Sequence, residues 1–329
     1  MSRQQPPSVM ITNESTPLLP QHQQPQQQGS HHNRKTEALG LSLMALSALG
    51  FSTNALLVKI GGQKFPSLEL VFARGVIQGL LGLLGCLYLG LNPLGKYGVR
   101  KWLFFRGFTG SIGLALYFYS LTKLPLADAT VVFFLSPTFT AIVAALVLKE
   151  PFTLFEGACA VVCLVGVTLI SKPAFIFGGL EMSWERLLAI GAALSGAMFA
   201  AISYVTVRKV GKAGHFLQHT TYFGLISALM SPPLLCMLQG YVAPSGWYDY
   251  VILLLTGLTA FVGQCLLNSG LQLAPAGPGT LMRMNDVVFA FLFGILLLHE
   301  YPDAYSISGA VLIVSTTTAL GVRKWLCKS

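Results

Sequence analysis

The chain has 329 residues, of which 53% are hydrophobic and only 10% charged, against the roughly 25% charged of an ordinary soluble domain. With a mean hydropathy of +0.66, apolar stretches recur almost without interruption after residue 37, which leaves no room for a large water-soluble catalytic domain. The 21 Lys and Arg against 12 Asp and Glu form no basic stripe interleaved with aromatics, which argues against nucleic-acid binding; in a polytopic membrane protein such an excess sets topology.

Residues 1–37 are rich in Gln and Pro and lack the apolar core of a signal peptide, so they read as a disordered cytosolic tail. Within it, Glu14-Ser15-Thr16-Pro17-Leu18-Leu19 has the form of an acidic dileucine signal that adaptor proteins bind on the cytosolic side. Asn13-Glu14-Ser15 is also an N-glycosylation sequon, used only if the tail faces the lumen, and the two uses exclude each other.

Apolar spans follow at 38–60, 68–90, 102–122, 127–148, 154–171, 186–207, 216–238, 247–271, 278–298 and 304–322. With a cytosolic N-terminus, the inside segments carry 13 basic residues, among them Lys96, Arg100, Lys101, Arg208, Lys209, Lys212 and Arg323, against five outside, which places both termini in the cytosol. The cysteines fall mostly inside spans, with no metal or redox spacing, and read as small apolar residues.

An internal repeat organises the spans. Leu121 to Glu150 aligns without gaps on Leu271 to Glu300, an offset of 150 residues, with identities at Leu121/Leu271, Pro125/Pro275, Thr130/Thr280, Phe139/Phe289, Leu148/Leu298 and Glu150/Glu300. Spans 1–5 (38–172) therefore recur as spans 6–10 (186–325), and because five is odd the second copy is inverted in the bilayer. The expected fold is an all-α integral membrane protein of ten transmembrane helices in two inverted five-helix repeats, the architecture of a secondary transporter working by alternating access.

The motifs Arg106-Gly107 with Gly110-Ser111, Leu126 to Val131, Ser136-Pro137-Thr138-Phe139-Thr140, Leu148-Lys149-Glu150, Ala276-Gly277-Pro278 and Asp286 to Phe291 resemble the EamA-type drug/metabolite transporter superfamily, most strongly subfamily G of solute carrier family 35. The resemblance runs from about residue 38 to Trp325. It implies a central cavity between spans 1–4 and 6–9 and peripheral spans 5 and 10 that can form a homodimer contact. It fixes no substrate, since related members carry nucleotide sugars, sugar phosphates, organic acids, amino acids or nucleobases.

Charges at bilayer depth are costly unless they face protein, water or a partner, so each is a functional candidate. Arg74 lies about 9 Å of helix rise inside span 2, open either to helix carbonyls or to substrate. Arg283 enters span 9 from the opposite face with Asp286 three residues on, on one helix face; the pair is either fixed or opens so that Arg283 takes an anion. The aligned positions Phe133 and Ser136 are uncharged, so the scaffold is symmetric and the chemistry is not. Arg106 is expected to snorkel to the cytosolic interface in preference to binding a ligand, His219 to lie at that interface in preference to carrying protons, and Asp128 to cap span 4. Glu150 and Glu300 are expected to hold turns.

Asn54, Gln264, Asn268 and Asn285, with the aromatic Tyr117, complete the candidate substrate site, each amide able to bond either a solute or a neighbouring helix. Pro137 in mid-span 4 is the candidate hinge. No phosphate-binding loop, HExxH or GxSxG motif is present, so no enzyme, no metal site and no cofactor are expected. The two arginines entering from opposite faces favour a small anionic solute, carboxylate or phosphate bearing. A nucleotide-sugar transporter, a regulator that uses the fold to bind another membrane protein, and a channel are the rival readings, and endomembrane and plasma membrane are both open.

Overall fold

The computed structural model describes residues 29–124, 129, 132–171, 176, 183–298 and 304–326. Glu14, Leu18, Leu19, Asn13, Asp128 and Glu300 lie outside them. Among the described residues the protein is all helical: α1 Gly29–Gly61, α2 Ser67–Tyr88, α3 Tyr97–Lys123, α4 Ser136–Leu148, α5 Leu154–Ser171, α6 Trp184–Val210, α7 Phe216–Leu238, α8 Trp247–Leu273, α9 Ala276–Met282, α10 Asn285–Leu298 and α11 Ala304–Leu326. Seven segments are long and apolar enough to cross a membrane, with α9 and α10 counted together; α4 and α5 are shorter apolar helices. This is a multi-pass integral membrane protein. α1 begins nine residues before the expected start of span 1, because the polar turn from Gly29 to Thr36 is helical without being apolar.

The helices pack chiefly on partners from the other half of the sequence: α1 on α8, α3 on α6, α2 on α7, and α5 on α11. Taking α9 with α10 as the ninth unit and α11 as the tenth, exchanging each helix with the one five places on carries these contacts into one another. α3 and α8 show the repeat to the residue, since Tyr97 plus 150 is Trp247 and Lys123 plus 150 is Leu273. The α2/α7 crossing is set by glycines, as a Cβ on Gly224 would stand 2.4 Å from Gly79 N and 2.7 Å from its Cα. Backbones in such contact exclude lipid and gain dispersion along their whole length.

Two expected continuous helices are broken. Span 4 turns at Phe134 and Leu135 before α4, and span 9 turns at Arg283 and Met284 between α9 and α10. At both, amides reach back three residues, Leu135 N to Val132 O at 3.2 Å and Met284 N to Leu281 O at 3.0 Å, the tighter turn of a 3₁₀ segment. Pro137 consequently sits in the first turn of α4 rather than in mid-helix, where its missing N–H has no intrahelical acceptor to lose. The bend comes from the turn before it.

One end of the bundle is tied by Glu150, which follows Lys149 at φ 55°. Glu150 Oε1 accepts from Arg208 Nε of α6 at 2.8 Å and Oε2 accepts from Ala276 N, the start of α9, at 3.0 Å. Arg208 Nη1 donates onward to Gln272 O at 3.2 Å. Partly buried pairs of this kind leave an uncompensated charge when one partner is removed. Glu150→Ala is expected to lower the thermal unfolding midpoint by an amount equivalent to about 2 kcal/mol, and Glu150→Gln, which keeps an acceptor for Ala276, by about half of that; equal midpoints for both variants and wild type would show the tie to be slack.

Candidate functional site

A cavity of about 460 Å³ runs through the bundle from Arg106, Gln264 and Thr280 at its floor to Lys59 near the C-terminal end of α1. This size suits a small organic solute. It is lined by α1, α2, α3, α6, α7 and α8, by the first turn of α4 and the turn before it, and by α9, α10 and their junction.

Three arginines converge on it. Arg74, on α2, lines the wall with its guanidinium 5.8 Å from the Phe223 ring, and no hydrogen bond to it is found among the described residues. Arg283, at the break between α9 and α10, donates from Nη1 to Tyr204 Oη at 2.6 Å and lies 3.7 Å from Asp286 Oδ2 through Nη2. Its guanidinium lies over Phe51 at 4.5 Å and beside the Tyr204 ring at 5.7 Å, while its Nε is buried without a partner. Electron-rich faces hold a cation with little loss of charge and leave its N–H edge for a ligand.

Arg106 is the correction to the sequence reading. It does not reach an interface but is 1% exposed on the cavity floor. α3 starts at Tyr97, five residues before the expected start, so Arg106 stands about 14 Å along the helix axis. Its Nη2 donates to Gln264 Oε1 at 2.9 Å and Asn268 Oδ1 at 3.2 Å, and its plane covers Phe223 at 4.5 Å. Nε and Nη1 have no partner among the described residues, which is an unusual state for a buried cation. His219 is likewise no interfacial residue: it is 0% exposed, with both ring nitrogens unpartnered, because the 3₁₀ turn Gly211–Ala213 and Gly214 close over the start of α7.

Of the other candidates, Asn54 lines the cavity and donates to Thr256 O at 2.7 Å and Thr259 Oγ1 at 3.1 Å, joining α1 to α8. Tyr117 forms the opposite wall with Phe133, ring centroids 4.2 Å apart. Gln264 lines the floor, whereas Asn268 stands behind it, holding Arg106 and donating to Thr220 Oγ1 at 3.0 Å. Asn285 faces the other way, bonding Met282 O at 2.9 Å and accepting from Thr317 of α11 at 3.3 Å. Phe51, Tyr204 and Phe223 escaped the sequence reading, because aromatic residues in apolar spans carry no periodic mark. For Arg106 a signal existed: Gln264 and Asn268, four residues apart in one apolar helix, needed a shared polar partner.

The profile of the EamA-like transporter family matches residues 38–172 and again residues 187–321. The chain belongs to the EamA-like transporter family. Among relatives within or near this family, solute carrier family 35 member G1 of Homo sapiens is 34% identical over 292 residues, covering 87% of this chain and 80% of that protein. The pseudopaline exporter CntI of Pseudomonas aeruginosa is 32% identical over 285 residues, covering 87% of this chain and 96% of the exporter. A solved crystal structure at 21% identity superposes with a TM-score of 0.74 over 86% of this chain and 98% of its own, which shows the shared fold. The two EamA matches coincide with the halves whose helices exchange contacts, and the cavity lies between them.

Proposed function

We propose that this EamA-family protein is a secondary transporter that moves a small organic anion, carboxylate or phosphate bearing, by alternating access through ten spans in two inverted repeats. The observation that carries the reading is the convergence of Arg74, Arg106 and Arg283 on one cavity in which Asp286 is the carboxylate among the described lining residues. Uncompensated guanidinium groups beside apolar walls bind planar oxyanions through paired N–H donors. Arg74 is free to swing toward a ligand, Arg283 is stacked and offers its edge, and Arg106 is fixed on the floor by two amides. Asp286 then has a distinct part: it holds Arg283 in the empty site and is released when the anion takes its place. The relatives named as a solute carrier and an exporter support the transport reading, and the exchange of contacts between halves supports inverted repeats. The excess of basic residues between alternate spans supports cytosolic termini.

Uptake and counterflow in proteoliposomes, run with labelled dicarboxylates, tricarboxylates, sugar phosphates and nucleotide sugars, test the proposal. Saturable uptake of one of these anions, accelerated by the same anion trapped inside, is the expected result. Absence of uptake for every anion by folded protein would overturn it and favour the regulator reading.

A further inference from the structure

A second pocket, of about 330 Å³, lies outside the central cavity at the end of the bundle where α3 and α7 begin. It is lined by Lys96, Lys212 and His215 with the amide side chains Gln218 and Gln272, and none of the described lining residues is acidic. Lys96 is the N-cap residue of α3 and His215 that of α7, the latter start closed by its own capping box, so two helix starts border the space together with the last turn of α8 at Gln272. The first turns of both helices lack acids.

The repeat supplies an internal control. At the opposite end, the α1/α2 loop carries Lys64, which forms an ion pair with Asp249 in the first turn of α8. Asp249 Oδ2 also accepts from Ser245 N at 2.8 Å and Gly246 N at 3.2 Å. Subtracting 150 from Asp249 gives Val99 in the first turn of α3. The position that neutralises the loop in one half is therefore apolar in the other, and neither Lys96 nor Lys212 has an ion pair among the described residues. Glu150, which is linked to Gln272 through Arg208, is engaged by that arginine.

The loops around the pocket are held independently of any ligand. Gln218 Nε2 donates to Asn92 O at 2.8 Å and Gln272 Nε2 to Gly214 O at 2.7 Å. His215 Nδ1 accepts from Leu217 N at 3.3 Å, which leaves Nε2 as the protonated donor of the neutral ring. Beneath the pocket wall lies the fully buried His219, unpartnered at both nitrogens, its Nε2 3.3 Å from where a Gly214 Cβ would stand. Lys209 caps the exposed Trp102 ring at 4.1 Å one helix away, an arrangement typical of headgroup depth.

We propose that this pocket binds a phosphoryl group, clamped by Lys96, Lys212 and His215, at a site separate from the transport cavity. The group can come from an anionic lipid headgroup or from a soluble phosphate, and both meet the same donors. Binding of dioctanoyl phosphatidylinositol 4-phosphate and of inorganic pyrophosphate to the full chain in phosphatidylcholine nanodiscs tests it. Saturable binding of the lipid alone identifies a lipid site, and binding of pyrophosphate alone or of both identifies a phosphate site; each supports the proposal if the dissociation constant rises at least tenfold in Lys96→Gln/Lys212→Gln. Val99→Asp, which restores the acid of the other half, is expected to weaken binding similarly, and the lysine variant to keep wild-type anion uptake through the central cavity. No binding of either probe, binding indifferent to the lysine variant, or loss of wild-type anion uptake in the lysine variant would overturn it.

Discussion

Arg283→Ala is expected to reduce saturable anion uptake at least a hundredfold, from the loss of two charge-assisted contacts worth roughly 1.5 to 3 kcal/mol each. The same variant should remain folded. Arg283 sits at a helix break whose backbone is held by its own amides, Arg283 N to Thr280 O at 3.2 Å and Asp286 N to Arg283 O at 2.9 Å, and its side chain borders a space that water can fill. Truncation leaves Asp286 without its cation, so the charge balance of the cavity moves against an anion as well. Arg283→Lys keeps the charge but not the planar fork that lies between Phe51 and Tyr204, and should recover only part of the activity. Unchanged uptake in Arg283→Ala would remove this arginine from the solute's path.

Gly224→Val acts on the fold instead. The added Cβ would meet the Gly79 backbone nitrogen at 2.4 Å, and the chain of α2 cannot retreat without losing its neighbours on α8. Overpacking of side chains typically costs about 1 to 3 kcal/mol, and a collision with backbone falls at or above the top of that range. The expected outcome is little monodisperse protein after purification. Gly79→Ala, whose Cβ meets Leu225 N at 3.1 Å and Leu225 Cδ2 at 3.0 Å, should be milder, showing a lowered unfolding midpoint with recoverable protein. Wild-type yield from Gly224→Val would mean that the crossing is looser than its geometry.

Much of the fold was legible because hydropathy and the 150-residue offset act over long stretches. The bounds of α5 and α7 agree with spans 5 and 7 at both ends. What escaped was local. The turns at Phe134–Leu135 and Arg283–Met284 interrupt runs that are apolar throughout, and hydropathy does not register a change of backbone direction. α3 begins five residues before its apolar span because Arg100 and Lys101 give its first turn the composition of a loop, and the same offset carries Arg106 from the interface into the bundle. In the candidate site the rare charges pointed to the cavity, since burying them demands a reason. The amides did not sort themselves: Asn54 and Gln264 line the cavity, while Asn285 turns to Thr317, and nothing in a single sequence separates those two uses.

The packing of each helix on a partner from the other repeat also bears on biosynthesis. When the ribosome has delivered α1 to α5, few of the surfaces that will cover them have yet been made, and Arg74, Arg106 and Asn54 must wait in the bilayer for α6 to α11. Pairings this distant along the chain are slow to form. The waiting half therefore depends on insertion machinery or lipid to shelter its polar groups, and a fragment ending near residue 172 has a fold to begin but no partner with which to complete it.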